Sequence, residues 1–127
     1  MSSRHHINDE LSRNLNWKII MKLGLVIYSN DPESVWNAFR FGNHAIKHHQ
    51  DEVQVFLLGK GVEAETLDTD KFKITEQMQM LSAAGGKVLA CGTCLKLRQS
   101  EGTEVCPVST MNDLHQLVVE CDKVLTF

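Results

Sequence analysis

Lys22-Leu23-Gly24-Leu25-Val26-Ile27-Tyr28-Ser29-Asn30-Asp31-Pro32-Glu33 is the stretch that decides the fold. Lys22 to Tyr28 is a near-continuous apolar run of strand length, the pattern of a strand covered on both faces in a parallel sheet. Ser29 to Glu33 then spell a helix start. Asp31 is a good N-cap, Pro32 suits the first helical position, and Glu33 suits the first turn. A buried strand running into a capped helix is the first half of a βαβ unit.

The rest of the chain repeats that alternation. Val35, Ala38, Phe39, Gly42 and Ile46 recur at helical spacing, and Gln50-Asp51 closes the helix. Residues 53–58 form a second strand, Gly59-Lys60-Gly61 a turn, and 62–67 a short helical turn. Asp70 is the expected cap of a helix striped by Ile74, Met78 and Leu81, which Gly85-Gly86 terminate. A third strand, 87–90, leads to Cys91, and a short helix is expected over 93–100. Gly102 breaks the pattern, and Val105-Cys106-Pro107-Val108 is extended but limited by its proline. Ser109 or Thr110 caps a last helix with Leu114, Leu117 and Val118 on one face, and 123–127 closes as a strand. This order predicts an α/β layered fold with a mainly parallel sheet and right-handed crossovers.

With 127 residues, 43% of them hydrophobic, the chain supports one domain, placed over 21–127. A net charge of -3 argues against a nucleic-acid partner. No apolar run approaches the ~18–20 residues of a membrane span. Residues 1–20 stand apart as an N-terminal extension without the apolar core of a secretory signal. Leu11, Leu15 and Ile19 recur at helical spacing there, so disorder or a loosely docked helix is expected. Met21, directly before the first strand, also allows a start codon placed too early. Four cysteines without an export signal read as reduced thiols, which places the protein in the cytoplasm.

Chemistry concentrates at Ala90-Cys91-Gly92-Thr93-Cys94. Unpaired N–H groups at a strand-to-helix turn favour a thiolate, the reactive form of cysteine. Cys91, at the strand end, is the candidate nucleophile, and Cys94, one helical turn on, a resolving or partner thiol. Arg98, a further turn along, adds positive potential. Reactive groups in such folds gather at the carboxyl ends of the strands. That rule brings Ser29-Asn30-Asp31 and Gly59-Lys60-Gly61 beside the cysteines. Ser29, Asn30, Asp31, Lys60, Thr93 and Arg98 are therefore the candidate lining of the site.

Other constellations are weaker. Cys91, Cys94, Cys106 and Cys121 could hold zinc, but they contain only one close pair. Cys106 and Cys121 read as core or semi-buried thiols. His44 and His48 lie four apart beside His49, without a third ligand or a catalytic Glu, and suit a helix C-terminus as favourable charges. His5, His6 and Asp9 read as solvated tail residues, and His115 has no visible partner. The Ser29–Glu33 loop lacks the glycines of a phosphate loop. No metal or cofactor is called for.

Taken together, the chain resembles the DsrE/DsrF-like family, and within it the small YchN-like proteins, over about residues 22–127. The resemblance rests on Lys22–Tyr28 with its Ser29–Glu33 turn, on Cys91-Gly92-Thr93-Cys94 with Arg98 behind it, and on the terminal Asp122–Phe127. It implies a three-layer, DsrEFH-like sandwich with a mainly parallel sheet of about five strands. It also implies homotrimers or hexamers with the cysteine near subunit boundaries. Family members with known roles relay sulfur, a cysteine accepting sulfane sulfur as a persulfide from a donor protein and handing it to an acceptor. Their sulfur-carrying cysteine matches Cys91, and the second cysteine of the YchN-like subset matches Cys94. The chain departs from the family pattern at Gln99, where a glycine usually follows the arginine, and in its extension 1–20.

Two other functions compete. Cys91 and Cys94 could serve as a dithiol–disulfide redox pair. Thioredoxin-like proteins, however, carry the motif early and face it with a distant proline, whereas Pro107 lies only thirteen residues beyond Cys94. The alternative to both is a non-catalytic oligomeric protein with buried structural thiols.

Overall fold

The structure is a computed structural model that describes residues 20–127. The expectations for the extension therefore lie outside the described residues, save at Ile20. Strand β1 (Lys22–Ile27) is buried from Leu23 onward. Leu23, Leu25 and Ile27 enter one apolar cluster and Val26 enters another, which explains the missing polar alternation. Asp31 then starts helix α1 (Pro32–His49), its carboxylate accepting the Ser34 N–H at 2.9 Å. Val35, Ala38, Phe39, Gly42 and Ala45 form the buried stripe, with Ile46 only half-buried at its margin.

Strand β2 (Glu52–Leu57) follows. The glycines after it do not form a free turn: Gly59 opens a 3₁₀ helix, Gly59–Thr66. Helix α2 (Ile74–Ala83) is held at its start by Asp68, not Asp70. The loop folds back through Thr69 and Phe72, Thr69 N–H bonding to the Phe72 carbonyl at 3.0 Å. That turn carries the Asp68 carboxylate to the Thr75 N–H, 2.9 Å away. Strand β3 (Lys87–Cys91) runs straight into helix α3 (Gly92–Leu97), which begins and ends earlier than its sequence suggests.

Only Val108–Ser109 of the next extended stretch pairs, as strand β4, because Thr103 and Cys106 close a turn on each other. Helix α4 (Met111–Glu120) carries the capping box formed by Thr110 and Asp113. It buries Leu117 and half-buries Leu114, but Val118 is 53% exposed and so does not share the core face expected of it. Strand β5 (Lys123–Thr126) ends the domain.

The sheet order is β4-β3-β2-β1-β5, and every pairing is parallel. Helices α1 and α2 pack over the larger cluster on one face. Helix α4 covers the other face through Leu117, against Val26, Phe56 and Cys91. The three layers follow from crossover handedness. From β1 through β3 the chain advances in one direction with its helices on one side. The return from β4 to β5 runs the opposite way, so its helix falls on the opposite face. That second face is thinly covered, since all four residues of β5 are exposed. Among the described residues, no helix is long and apolar enough to cross a membrane.

Candidate functional site

Cys91 is the last residue of β3 and the N-cap of α3, with φ -57 and ψ 118. Side chains alternate along the strand. Val88 and Ala90 therefore enter the larger cluster, while Leu89 and Cys91 enter the smaller one. Cys91 is 2% exposed there, packed with Val26, Phe56 and Leu117. Cys94, one turn along α3, returns to the same cluster and is half-buried. Cys91 also lines an open groove of about 630 Å³ formed with Thr93, Lys96, Ser109 and Met111.

The Cys94 sulfur has a partner in a different loop. Its Sγ accepts the Gly59 N–H at 3.2 Å. That amide is the first of the 3₁₀ helix and has no carbonyl of its own turn to meet. Burial pushes the Cys94 thiol above its ordinary value, and a hydrogen bond with the neighbouring Cys91 thiol pushes the same way. The Gly59 N–H and the Arg98 charge act in the opposite direction.

Arg98 ties the site together. Its Nε donates to Glu63 Oε2 at 2.9 Å, and its Nη1 donates to the Cys94 carbonyl at 3.1 Å. Glu63 Oε1 accepts Asn30 Nδ2 at 3.3 Å. One polar chain thus joins the loops after β1, β2 and β3, whose ends are level because Ile27 pairs with Leu57 and Leu57 with Ala90. Hydrogen bonds from Arg98 and then Asn30 hold the Glu63 carboxyl below its ordinary value.

Of the residues expected around the thiols, the structure brings Arg98 to Cys94, Asn30 to Glu63 behind that arginine, and Thr93 to the groove beside Cys91. Ser29 and Asp31 turn to the start of α1 instead. Ser29 Oγ accepts the Asp31 N–H at 3.0 Å, and Asp31 accepts from Ser34. Lys60 is exposed and acts on Glu63 through its charge. Glu63 itself had no signal in sequence: it belongs to no motif, and only the fold sets it opposite Arg98.

Of the other thiols, Cys121 packs at the margin of the same smaller cluster, beside Gly24, and Cys106 lies apart. Cys106 lies in the larger cluster, where burial pushes its thiol up to about 12. Cys121 is half-buried at the end of α4. Among the described residues, no group of three or more His, Cys, Asp and Glu side chains is arranged to hold a metal ion. His44, His48 and His49 cluster, the His44 and His48 rings 4.6 Å apart, but at the C-terminal end of α1 that leads into β2. That is the opposite end of the sheet from the cysteines.

This all-parallel fold has counterparts. The model of the DsrE/DsrF-like family matches residues 21–127. The chain belongs to the DsrE/DsrF-like family. A solved structure with the same DsrE-like fold is the ychN protein from E. coli, at a TM-score of 0.75 and 23% sequence identity. The likeness covers 85% of this chain and 100% of that one. None of the curated proteins matches. The DsrE/DsrF-like match includes β1, the cysteine turn and β5, the three segments on which the sequence resemblance rests.

Proposed function

We propose that this protein is a sulfur carrier that accepts sulfane sulfur as a persulfide on Cys91 and passes it on. The observation that carries the reading is the position of Cys91: it closes a parallel strand at the carboxyl edge of the sheet and lines an open groove. In the first step the Cys91 thiolate attacks the terminal sulfur of a donor persulfide, and the donor leaves as a thiolate. In the second an acceptor thiolate takes that sulfur and Cys91 is restored. Donor and acceptor are proteins that dock at the groove. Membership of the DsrE/DsrF-like family supports this reading. All four thiols are free, as a reducing cytoplasm requires.

The protein works as a homo-oligomer, a trimer or hexamer. Val118 and Val119 on α4 and Val124 and Leu125 on the edge strand β5 are all exposed, on both faces of that edge. An exposed apolar patch at a sheet edge is a surface for a second subunit. Sedimentation of the full chain should give more than the monomer mass, and Val119→Lys should reduce it.

Loading tests the carrier. A sulfurtransferase charged with persulfide should add about 32 Da to the protein, and Cys91→Ser should remove the adduct. Wild-type protein that stays unlabelled while a known carrier loads overturns the reading.

A further inference from the structure

We infer that Cys94 discharges a Cys91 persulfide as hydrosulfide by closing a Cys91–Cys94 disulfide, so that the site can release sulfide as well as relay sulfur. The inference rests on the persulfide reading above and adds a second outcome for the same sulfur.

Three observations carry it. The first is backbone geometry. Cys91 is the N-cap of α3 and Cys94 its third residue, so the two side chains lie beside each other across the first turn, at the pair of positions that a capping box links. Both side chains enter the smaller apolar cluster, where the two thiols are in hydrogen-bonding contact. The second is the setting of the Cys94 sulfur. Gly59 donates its N–H to Sγ, and Arg98 lies one turn on with its guanidinium on the Cys94 carbonyl. Both favour negative charge on that sulfur and offset part of the rise that burial and the Cys91 thiol impose on it. The third is access. Cys94 is the more open of the two residues: it is half-buried, while Cys91 is 2% exposed and meets the outside at the groove it lines. Cys106 lies in the other cluster, and Cys121, though it packs on the same one, has its sulfur beside Gly24, level with Lys87 and four residues along the strands from Cys91.

The chemistry balances without an added oxidant. Cys94 loses its proton to solvent, and its thiolate attacks Sγ of Cys91. The Sγ–Sγ bond forms as the bond from Cys91 Sγ to the terminal sulfur breaks. That sulfur leaves as HS⁻ with the bonding pair. The sulfane sulfur is reduced by two electrons, and the cysteine sulfurs supply them as they become a disulfide. A dithiol reductant returns both cysteines to thiols for another cycle.

The test uses the full chain loaded with inorganic polysulfide, desalted, and followed without reductant by intact mass and by sulfide trapping. In wild-type protein the adduct of about 32 Da should give way to a species about 2 Da lighter than the reduced chain. Sulfide should appear at the same rate, in equal amount. Cys94→Ser and Cys94→Ala should keep the adduct at least tenfold longer and release sulfide only when dithiothreitol is added. Equal lifetimes in wild type and both variants overturn the inference and leave the carrier reading intact. Failure of wild type and both variants to load overturns the carrier reading, and this inference with it.

Discussion

Arg98 Nε donates to Glu63 Oε2 at 2.9 Å, and this ion pair fastens the cysteine helix to the 3₁₀ helix after β2. The pair is about a third exposed on each side, so solvent screens it and its direct contribution to stability is at most ~1 kcal/mol. Its larger effect is on position, because the same guanidinium holds the Cys94 carbonyl.

Replacing that carboxylate separates the two effects. Glu63→Gln should lower stability by less than about 1 kcal/mol in urea titration, yet speed alkylation of Cys94 severalfold as α3 loosens. The acid limb should change as well. Arg98 and Asn30 depress the Glu63 carboxyl, so its stabilisation is present above the ordinary carboxylate range and fades as pH falls through the depressed value. In Glu63→Gln that part of the acid limb should be absent. Unchanged Cys94 alkylation would deny the ion pair a part in placing α3.

The two glycines of the 3₁₀ helix are needed for different reasons, and substitution should tell them apart. A Cβ on Gly61 would stand 2.0 Å from the Ile27 carbonyl oxygen, a clash with backbone that no rotamer relieves. Gly61→Ala should cost about 3 kcal/mol and move the helix away from β1. Gly59 has open space around it but holds φ +56, so Gly59→Ala should cost only ~1 kcal/mol. Thermal melts of both variants check the order. Equal losses would mean that the close approach to Ile27 is not what requires Gly61.

Legibility in the sequence tracks how local each cause is. The apolar run Leu23–Ile27, the Asp31 cap and the α1 stripe are decided within one or two turns, and they match the structure except that Ala45 is buried where Ile46 is expected. The cap of α2 was misread because a turn at Thr69–Phe72, invisible to spacing rules, delivers Asp68 in place of Asp70. Val118 was read onto the core of α4 from periodicity alone. The face it would join is mostly left uncovered, since β5 beside it is exposed along its whole length. At the site, Cys91, Cys94, Asn30 and Arg98 follow from the strand-end rule. Glu63 does not, because its role depends on a contact 35 residues away in the chain.

Gln99 is a local misfit that one substitution should repair. It follows α3 with φ 54, in the left-handed region, while Ser100 N–H reaches the Leu95 carbonyl at 2.9 Å and Gln99 N–H the Lys96 carbonyl at 3.0 Å. Those two bonds make a Schellman ending, where glycine is favoured. Gln99→Gly should raise the urea midpoint, with a gain of about 0.5–1 kcal/mol and no change in Cys91 loading. A loss of stability would show that the glutamine side chain holds the helix end by a contact of its own.

Alkaline pH should destabilise the protein through Cys106. Cys106 is 4% exposed in the larger cluster, and desolvation raises its thiol to about 12, with the Glu65 charge adding to the effect. A raised value means that the folded state prefers the protonated thiol. The preference is fully expressed below the ordinary thiol value of 9.0 and is lost as pH rises from there towards 12. Within that window the Cys106 contribution should fall by about 1.4 kcal/mol per pH unit. Cys106→Ala removes the titration but opens a small cavity, so it should start less stable by roughly 1 kcal/mol and show a flatter alkaline limb. Urea titrations between pH 8 and about 11 compare the slopes, and parallel limbs in the two proteins would assign the alkaline loss to another group.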